Sequence, residues 1–213
     1  MAAERERPEG GEATDAARLG SILARIDRPV VLVGMMGVGK SSLGRKLATS
    51  LGAPFVDADE AIETSAQMTL PEIFATYGES FFRDGERRVI ARLMGESTPG
   101  EPRVKVIATG GGAFVNDATR SLILNRGIAV WLDAELDTLV ERTARKETRP
   151  LLAHGNPREI LGRLKREREP FYTQAPIHVM SGNTPHARTL ARMLGAIDQW
   201  LDQRHTDTTT TES

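Results

Sequence analysis

Val30-Val31-Leu32-Val33-Gly34-Met35-Met36-Gly37-Val38-Gly39-Lys40-Ser41-Ser42 is the stretch that decides the fold. A short apolar run ends in a glycine-rich turn, and a helical pattern follows. Gly34, Gly39, Lys40 and Ser41 satisfy G-x-x-x-x-G-K-[ST]. Such a loop turns its backbone N–H groups inward around a phosphate, because glycine has no Cβ to block positive φ. The helix behind it aims its positive end at the same phosphate. Gly37, Val38, Gly39, Lys40, Ser41 and Ser42 are therefore expected to hold ATP. Lys40 would reach the β- and γ-phosphates, and Ser41 would ligate Mg²⁺.

Outward from this loop the chain reads as one α/β domain. At 213 residues it has room for one such domain with tails. Its 28 basic and 29 acidic residues nearly cancel, which argues against a polyanion-binding surface. There is no cysteine, so a disulfide framework and a thiolate metal site are excluded. The four histidines are scattered without ligand spacing. No apolar run approaches membrane-spanning length, and the N-terminus is polar and unlike a signal peptide. The expectation is a cytoplasmic monomer with neither a nucleic-acid nor a membrane partner.

Residues 1–13 and 205–213 read as disordered tails, leaving 14–204 as the domain. Leu19, Ile22, Leu23 and Ile26 form one face of a short helix over Thr14–Ile26, which would pack onto the domain or bind a partner helix. Strands are expected at Pro29–Val33, Ala53–Val56, Val104–Ala108, Ile128–Leu132 and Ile177–Met180. The intervening helices would cover Lys40–Leu51, Asp117–Arg126, Glu135–Glu147 and Pro157–Glu169, with a last one ending at Asp202. Between the second and third strands the helical signals are doubled. Thr69 and Glu72 make a capping box, Gly78 closes that helix, and another runs from Glu79 to Met94, with Phe81 inside and Phe82 facing elsewhere. An inserted substrate-binding unit over about 58–95 is the natural interpretation. Five parallel strands with helices on both faces give a three-layer α/β/α fold.

Three further stretches carry chemistry. Asp57-Ala58-Asp59 ends the second strand, where two aspartates in extended backbone point the same way beside the phosphate loop. One of them also suits an N-cap, which is compatible with chemistry. Thr109-Gly110-Gly111-Gly112 ends the third strand and lets backbone approach a ligand closely. Arg142, Arg145, Lys146, Arg149 and Pro150 form a charge-dense run, either a solvated surface or a lid over about 145–157 that brings an arginine onto ATP. Together these describe phosphoryl transfer, which rests on positioning and charge neutralisation. Asp57 would hold Mg²⁺ through a water, and Asp59 would orient the acceptor hydroxyl and take its proton. Arg83 and Arg168, if they converge, favour an acceptor with a carboxylate.

The set resembles the shikimate kinase family. The likeness lies in Gly34–Ser41, Phe55-Val-Asp-Ala-Asp59, Ile73-Phe74 with Gly78–Glu86, Thr109–Gly112, Arg149-Pro-Leu-Leu152 and Arg168-Glu-Pro-Phe-Tyr172. It covers roughly Pro29 to Leu201. The resemblance implies ATP- and Mg²⁺-dependent phosphorylation of the shikimate 3-hydroxyl, in aromatic amino acid biosynthesis. It also makes Asp59, Arg83, Gly111 and Arg168 shikimate ligands, with Gly110 and Gly112 adjoining and Phe74 and Phe82 lining the pocket. Glu86 would hold Arg83, Arg149 would be the lid arginine, and adenine would lie near Ser181–His186. The rivals are a kinase for gluconate or a nucleoside monophosphate, and a nucleotide-binding module without turnover.

Overall fold

A computed structural model describes residues 9–95, 104–144, 155–182 and 185–210. Eight α-helices occur among them: α1 (Glu9–Arg25), α2 (Lys40–Leu51), α3 (Ala58–Ala66), α4 (Leu70–Gly95), α5 (Asp117–Arg126), α6 (Leu136–Ala144), α7 (Pro157–Tyr172) and α8 (His186–Thr210). The strands are β1 (Val30–Val33), β2 (Phe55–Asp57), β3 (Val106–Ala108), β4 (Ile128–Asp133) and β5 (Ile177–Met180). They form one sheet in the order β2-β3-β1-β4-β5, and every pairing is parallel. β1, β3 and β4 are buried along their whole length, which is why they read as continuous apolar runs rather than alternating ones.

The register sets the site. Leu32 lies opposite Ala108, and Ala108 opposite Asp57. The phosphate loop, Asp57 and the Thr109–Gly112 turn therefore leave the carboxyl edge of three adjacent strands at one level. Ligands bind at this edge in open α/β sheets, where successive connections diverge to opposite sides. The connection from β1 through α2 skips a strand position, and β3 later fills it between β1 and β2.

α3 and α4 fill the connection between β2 and β3. They build a small second core of Ile62, Ile73 and Phe82, with Met68, Leu70, Phe74 and Val89 around it. The capping box is present: Thr69 N and Oγ1 both donate to Glu72 Oε2, at 2.8 and 2.7 Å. α4 breaks at Gly78, whose φ of 78° and ψ of 177° leave the helical region, as the sequence reading expected of that glycine. The reading of the next turn was reversed, however. Phe82 is the buried ring, and Phe81 is 57% exposed, stacked on Tyr77. The buried face of this helix runs through Phe82, Glu86, Ile90 and Leu93. A glutamate in that stripe hides it from an apolar count.

Other boundaries move modestly. α1 begins at Glu9 and α8 continues to Thr210, so helix enters both stretches expected to be disordered. Those boundaries rest on polar composition and the loss of an apolar period, whereas backbone hydrogen bonding carries a helix past its buried face. α1 packs onto the domain, with Ile22 and Ile26 buried in the main core. Arg18 donates to Asp198 at 2.9 Å, and Arg25 reaches both Asp198 and Asp202. These pairs at the surface, of which only Arg25–Asp198 is partly buried, contribute little, whereas each buried isoleucine is worth about 2 kcal/mol. α3 starts at Ala58 rather than near Glu60, and β3 starts at Val106 rather than Val104. α7 runs through Pro170 to Tyr172. No described helix is long and apolar enough to cross a membrane.

Candidate active site

The phosphate loop has the backbone its glycines predict. Gly34, Gly37 and Gly39 have φ of 134°, 81° and 101°. At Gly34 a Cβ would also stand 2.2 Å from the Leu132 carbonyl oxygen, so only glycine fits. α2 has Gly39 at its N-cap, with no side-chain cap and no acidic residue in its first turn. Its first N–H groups are thus left for an anion. Lys40, largely buried, folds across the loop and donates to the Gly34 and Met35 carbonyls at 2.8 and 3.0 Å.

Asp57 does two things at once. Its Oδ1 accepts the Asp59 N–H at 3.1 Å and caps α3, while Oδ2 accepts the Ser41 hydroxyl at 2.6 Å. The expectation that both aspartates share an extended segment fails, because Asp59 sits in the first turn of α3. The turn nevertheless keeps the two carboxylates close. Burial, and then repulsion from Asp57, raises the Asp59 pKa above its ordinary value, with Lys40 and Arg83 opposing.

The three glycines after β3 each touch a different partner. A Cβ on Gly110 would stand 2.8 Å from Asp59 Oδ1 and 2.8 Å from Glu86 Oε1. The Gly111 carbonyl accepts from Arg168 Nη1 at 3.0 Å. A Cβ on Gly112 would lie 2.6 Å from Arg83 Nη2. The turn is therefore where Asp59, Arg83 and Arg168 meet, from α3, α4 and α7. Thr109 ties its start to β1, with Oγ1 donating to the Leu32 carbonyl at 3.0 Å.

Glu86 holds Arg83 through a 2.7 Å bond from Nη1, and Glu79 accepts from the same guanidinium at 3.2 Å. Burial raises the Glu86 carboxyl pKa despite Arg83. Its Oε1 has no hydrogen-bond partner among the described residues. Arg83 also lies over the Phe82 ring at 5.0 Å, and Phe82 packs on Phe74 with centroids 4.4 Å apart.

Two contributors escaped the sequence reading. Arg142 was counted in the charge-dense run, but it belongs to α6. It donates to the carbonyls of Val38 and Gly182 and to Ser181 Oγ, at 3.1, 2.8 and 3.1 Å. It therefore fastens the phosphate loop to the turn after β5. Its spacing of three from Leu139, inside a helical pattern, was the available signal. Tyr172 was quoted only as part of a motif, yet its hydroxyl lies 2.5 Å from the Gly111 oxygen. Ser42 lies 3.4 Å from His186 Nδ1. Arg149 and most of the expected lid lie outside the described residues.

The arrangement has one half at the phosphate loop and another half with two guanidinia and the Asp59 carboxylate around the glycine turn. Ser41 and Asp57 fit Mg²⁺, since a hydroxyl and a carboxylate are hard oxygen donors, and Mg²⁺ commonly takes few protein ligands beside phosphates.

Known proteins resemble this chain over most of its length. The family model described as shikimate kinase matches residues 36–198. A shikimate kinase of Novosphingobium aromaticivorans is 67% identical over 88% of this chain and 98% of its own length. One of Rhodopseudomonas palustris is 49% identical over 82% of this chain and 83% of its own. Among solved structures, the Acinetobacter baumannii shikimate kinase in complex with shikimate superposes with a TM-score of 0.71 at 36% identity, covering 78% of this chain and 90% of that one. A Sinorhizobium meliloti gluconokinase, at 18% identity and a TM-score of 0.57, shares the fold alone.

Proposed function

The chain belongs to the shikimate kinase family and is an ATP-dependent shikimate kinase, and from that premise we propose how its residues divide the reaction. Gly37–Ser42 bind the ATP phosphates, with Lys40 on the β- and γ-oxygens. Arg142 and the turn after β5 border the adenine end. Arg149 is the arginine brought onto ATP. Ser41 and Asp57 would hold Mg²⁺, which when bound would neutralise phosphate charge.

Shikimate lies on the glycine turn. Its carboxylate sits between Arg83 and Arg168, which each offer a planar fork of N–H donors. Phe74 and Phe82 back the pocket, and Glu86 keeps Arg83 in place. The 3-hydroxyl faces Asp59. As its oxygen bonds to the γ-phosphorus and the bond to the β–γ bridging oxygen breaks, the hydroxyl proton passes to Asp59. A carboxylate with a raised pKa is a better proton acceptor than an ordinary one.

The observation that carries this assignment is the meeting of Asp59, Arg168 and Arg83 at Gly110, Gly111 and Gly112. The proposed enzyme acts as a monomer in the cytoplasm. Release of ADP should be measured with shikimate, gluconate and nucleoside monophosphates as acceptors. Turnover should depend on shikimate. Turnover with gluconate or a nucleotide instead, or ATP binding without turnover, would contradict the assignment.

A further inference from the structure

A run of three glycines has little to hold its peptide planes, because glycine loses more conformational freedom on folding than any other residue. The Thr109–Gly112 turn is restrained at its start by Thr109 on Leu32. At its end, a 3₁₀ turn over Ala113–Val115 holds it: Ala113 N–H donates to the Gly110 carbonyl at 3.2 Å, and Val115 N–H to Gly112 at 3.1 Å. The peptide between Gly111 and Gly112 is held from the side. Its carbonyl accepts from Tyr172 Oη at 2.5 Å and from Arg168 Nη1 at 3.0 Å.

Tyr172 follows Arg168 by four residues, one helical turn along α7, so both side chains leave the same face. The Tyr172 ring is 2% exposed and lies between Phe114 and Trp131, with centroids at 6.4 and 6.0 Å. The ring has no room to turn away. A buried tyrosine hydroxyl needs a partner wherever it sits; here the partner is the one carbonyl shared with an acceptor arginine. In a planar trans peptide the C=O and N–H point in opposite directions. Fixing the Gly111 oxygen therefore also fixes where the Gly112 N–H points, and Gly112 itself stands against Arg83, with an added Cβ 2.6 Å from Nη2.

We propose that Tyr172 is a positioning residue for the acceptor. Its hydroxyl locks the Gly111–Gly112 peptide plane and, through the shared carbonyl, the Arg168 fork, so that both present donors to the carboxylate. This deepens the acceptor assignment above and rests on it. Burial pushes the Tyr172 pKa up to about 12, so the hydroxyl remains a donor at all working pH.

The test is Tyr172→Phe, which keeps the ring and removes only the hydroxyl, beside Ile197→Val, which removes one methylene from the buried core on α8, away from the glycine turn. Shikimate Kd is measured by calorimetry without ATP, KM for each substrate by ADP release, and melting temperature by scanning. Tyr172→Phe should raise shikimate Kd and KM about tenfold, the upper size of one lost neutral hydrogen bond, with the KM for ATP unchanged. Ile197→Val should lower the melting temperature and leave shikimate Kd within about twofold. Wild-type Kd in Tyr172→Phe would overturn the proposal. So would an equal rise in Kd in Ile197→Val, because a general loss of stability would then explain the effect. Wild-type protein that binds no shikimate would overturn the acceptor assignment itself, and this proposal with it.

Discussion

Replacing Gly112 by alanine should separate the acceptor site from the fold. Gly112 has φ of −101° and ψ of −11°, which alanine adopts without strain. Such a replacement usually stabilises by about 0.4–1 kcal/mol through the unfolded chain. The added Cβ, however, would stand 2.6, 2.8 and 2.9 Å from Nη2, Nη1 and Cζ of Arg83. Arg83 is the far end of a flexible side chain, so it can withdraw without unfolding anything. To reach ordinary contact at 3.4 Å, Nη2 must retreat by roughly 0.8 Å. That movement strains the 2.7 Å bond to Glu86 and draws the guanidinium off the glycine turn. A charge-assisted contact is worth about 1.5–3 kcal/mol, so kcat/KM for shikimate should fall by roughly 10- to 100-fold. The KM for ATP should hold. Steady-state ADP release with each substrate varied in turn, together with a melting curve, measures both sides. Unchanged kcat/KM for shikimate would refute the reasoning, as would a loss that follows a fall in melting temperature.

Asp59→Asn should abolish most turnover yet raise stability at neutral pH. A carboxyl pKa raised on folding means that the folded state holds its proton to higher pH than the unfolded state. Stability is therefore lost as pH climbs from the ordinary value of 3.8 through the folded value. Denaturant melts of both proteins at pH 4 and pH 7 check this; a gain that does not grow with pH would contradict it. Arg168→Ala should weaken shikimate far more than ATP, by about 10- to 100-fold in KM; equal loss of both would remove it from the acceptor half. Asp57→Asn should raise the Mg²⁺ concentration needed for half-maximal rate by about tenfold, read from a metal titration at fixed ATP. Arg142→Ala should raise the KM for ATP several-fold and leave shikimate alone, since the Val38 carbonyl of the phosphate loop keeps only Ser181 Oγ as its tie to the turn after β5.

Much of the donor half was legible because its chemistry is local. Gly34 through Ser42 are contiguous, and their loop conformation follows from glycine's freedom and the strand before it. The sheet was legible for a similar reason: strands buried on both faces leave unbroken apolar runs. The acceptor half is assembled across the chain. Asp59, Arg83, Gly112 and Arg168 could be nominated by type, but only the register of β2, β3 and β1 brings them together. Glu86 shows why one helix face was misassigned, since a buried carboxylate that holds an arginine looks like a surface position. Phe81 and Phe82 are adjacent and alike, so the choice between them depends on that face. Arg142 and Tyr172 act on backbone carbonyls far away in sequence, and such bonds leave no pattern of residue types.

The most direct test of the acceptor assignment is a crystal structure with shikimate bound. The shikimate carboxylate should sit between the Arg83 and Arg168 guanidinia, within about 3 Å of each, with the 3-hydroxyl at hydrogen-bond distance from Asp59. Shikimate bound away from the Gly110–Gly112 turn, or with its carboxylate on Asp59's side and its 3-hydroxyl toward the arginines, would contradict it.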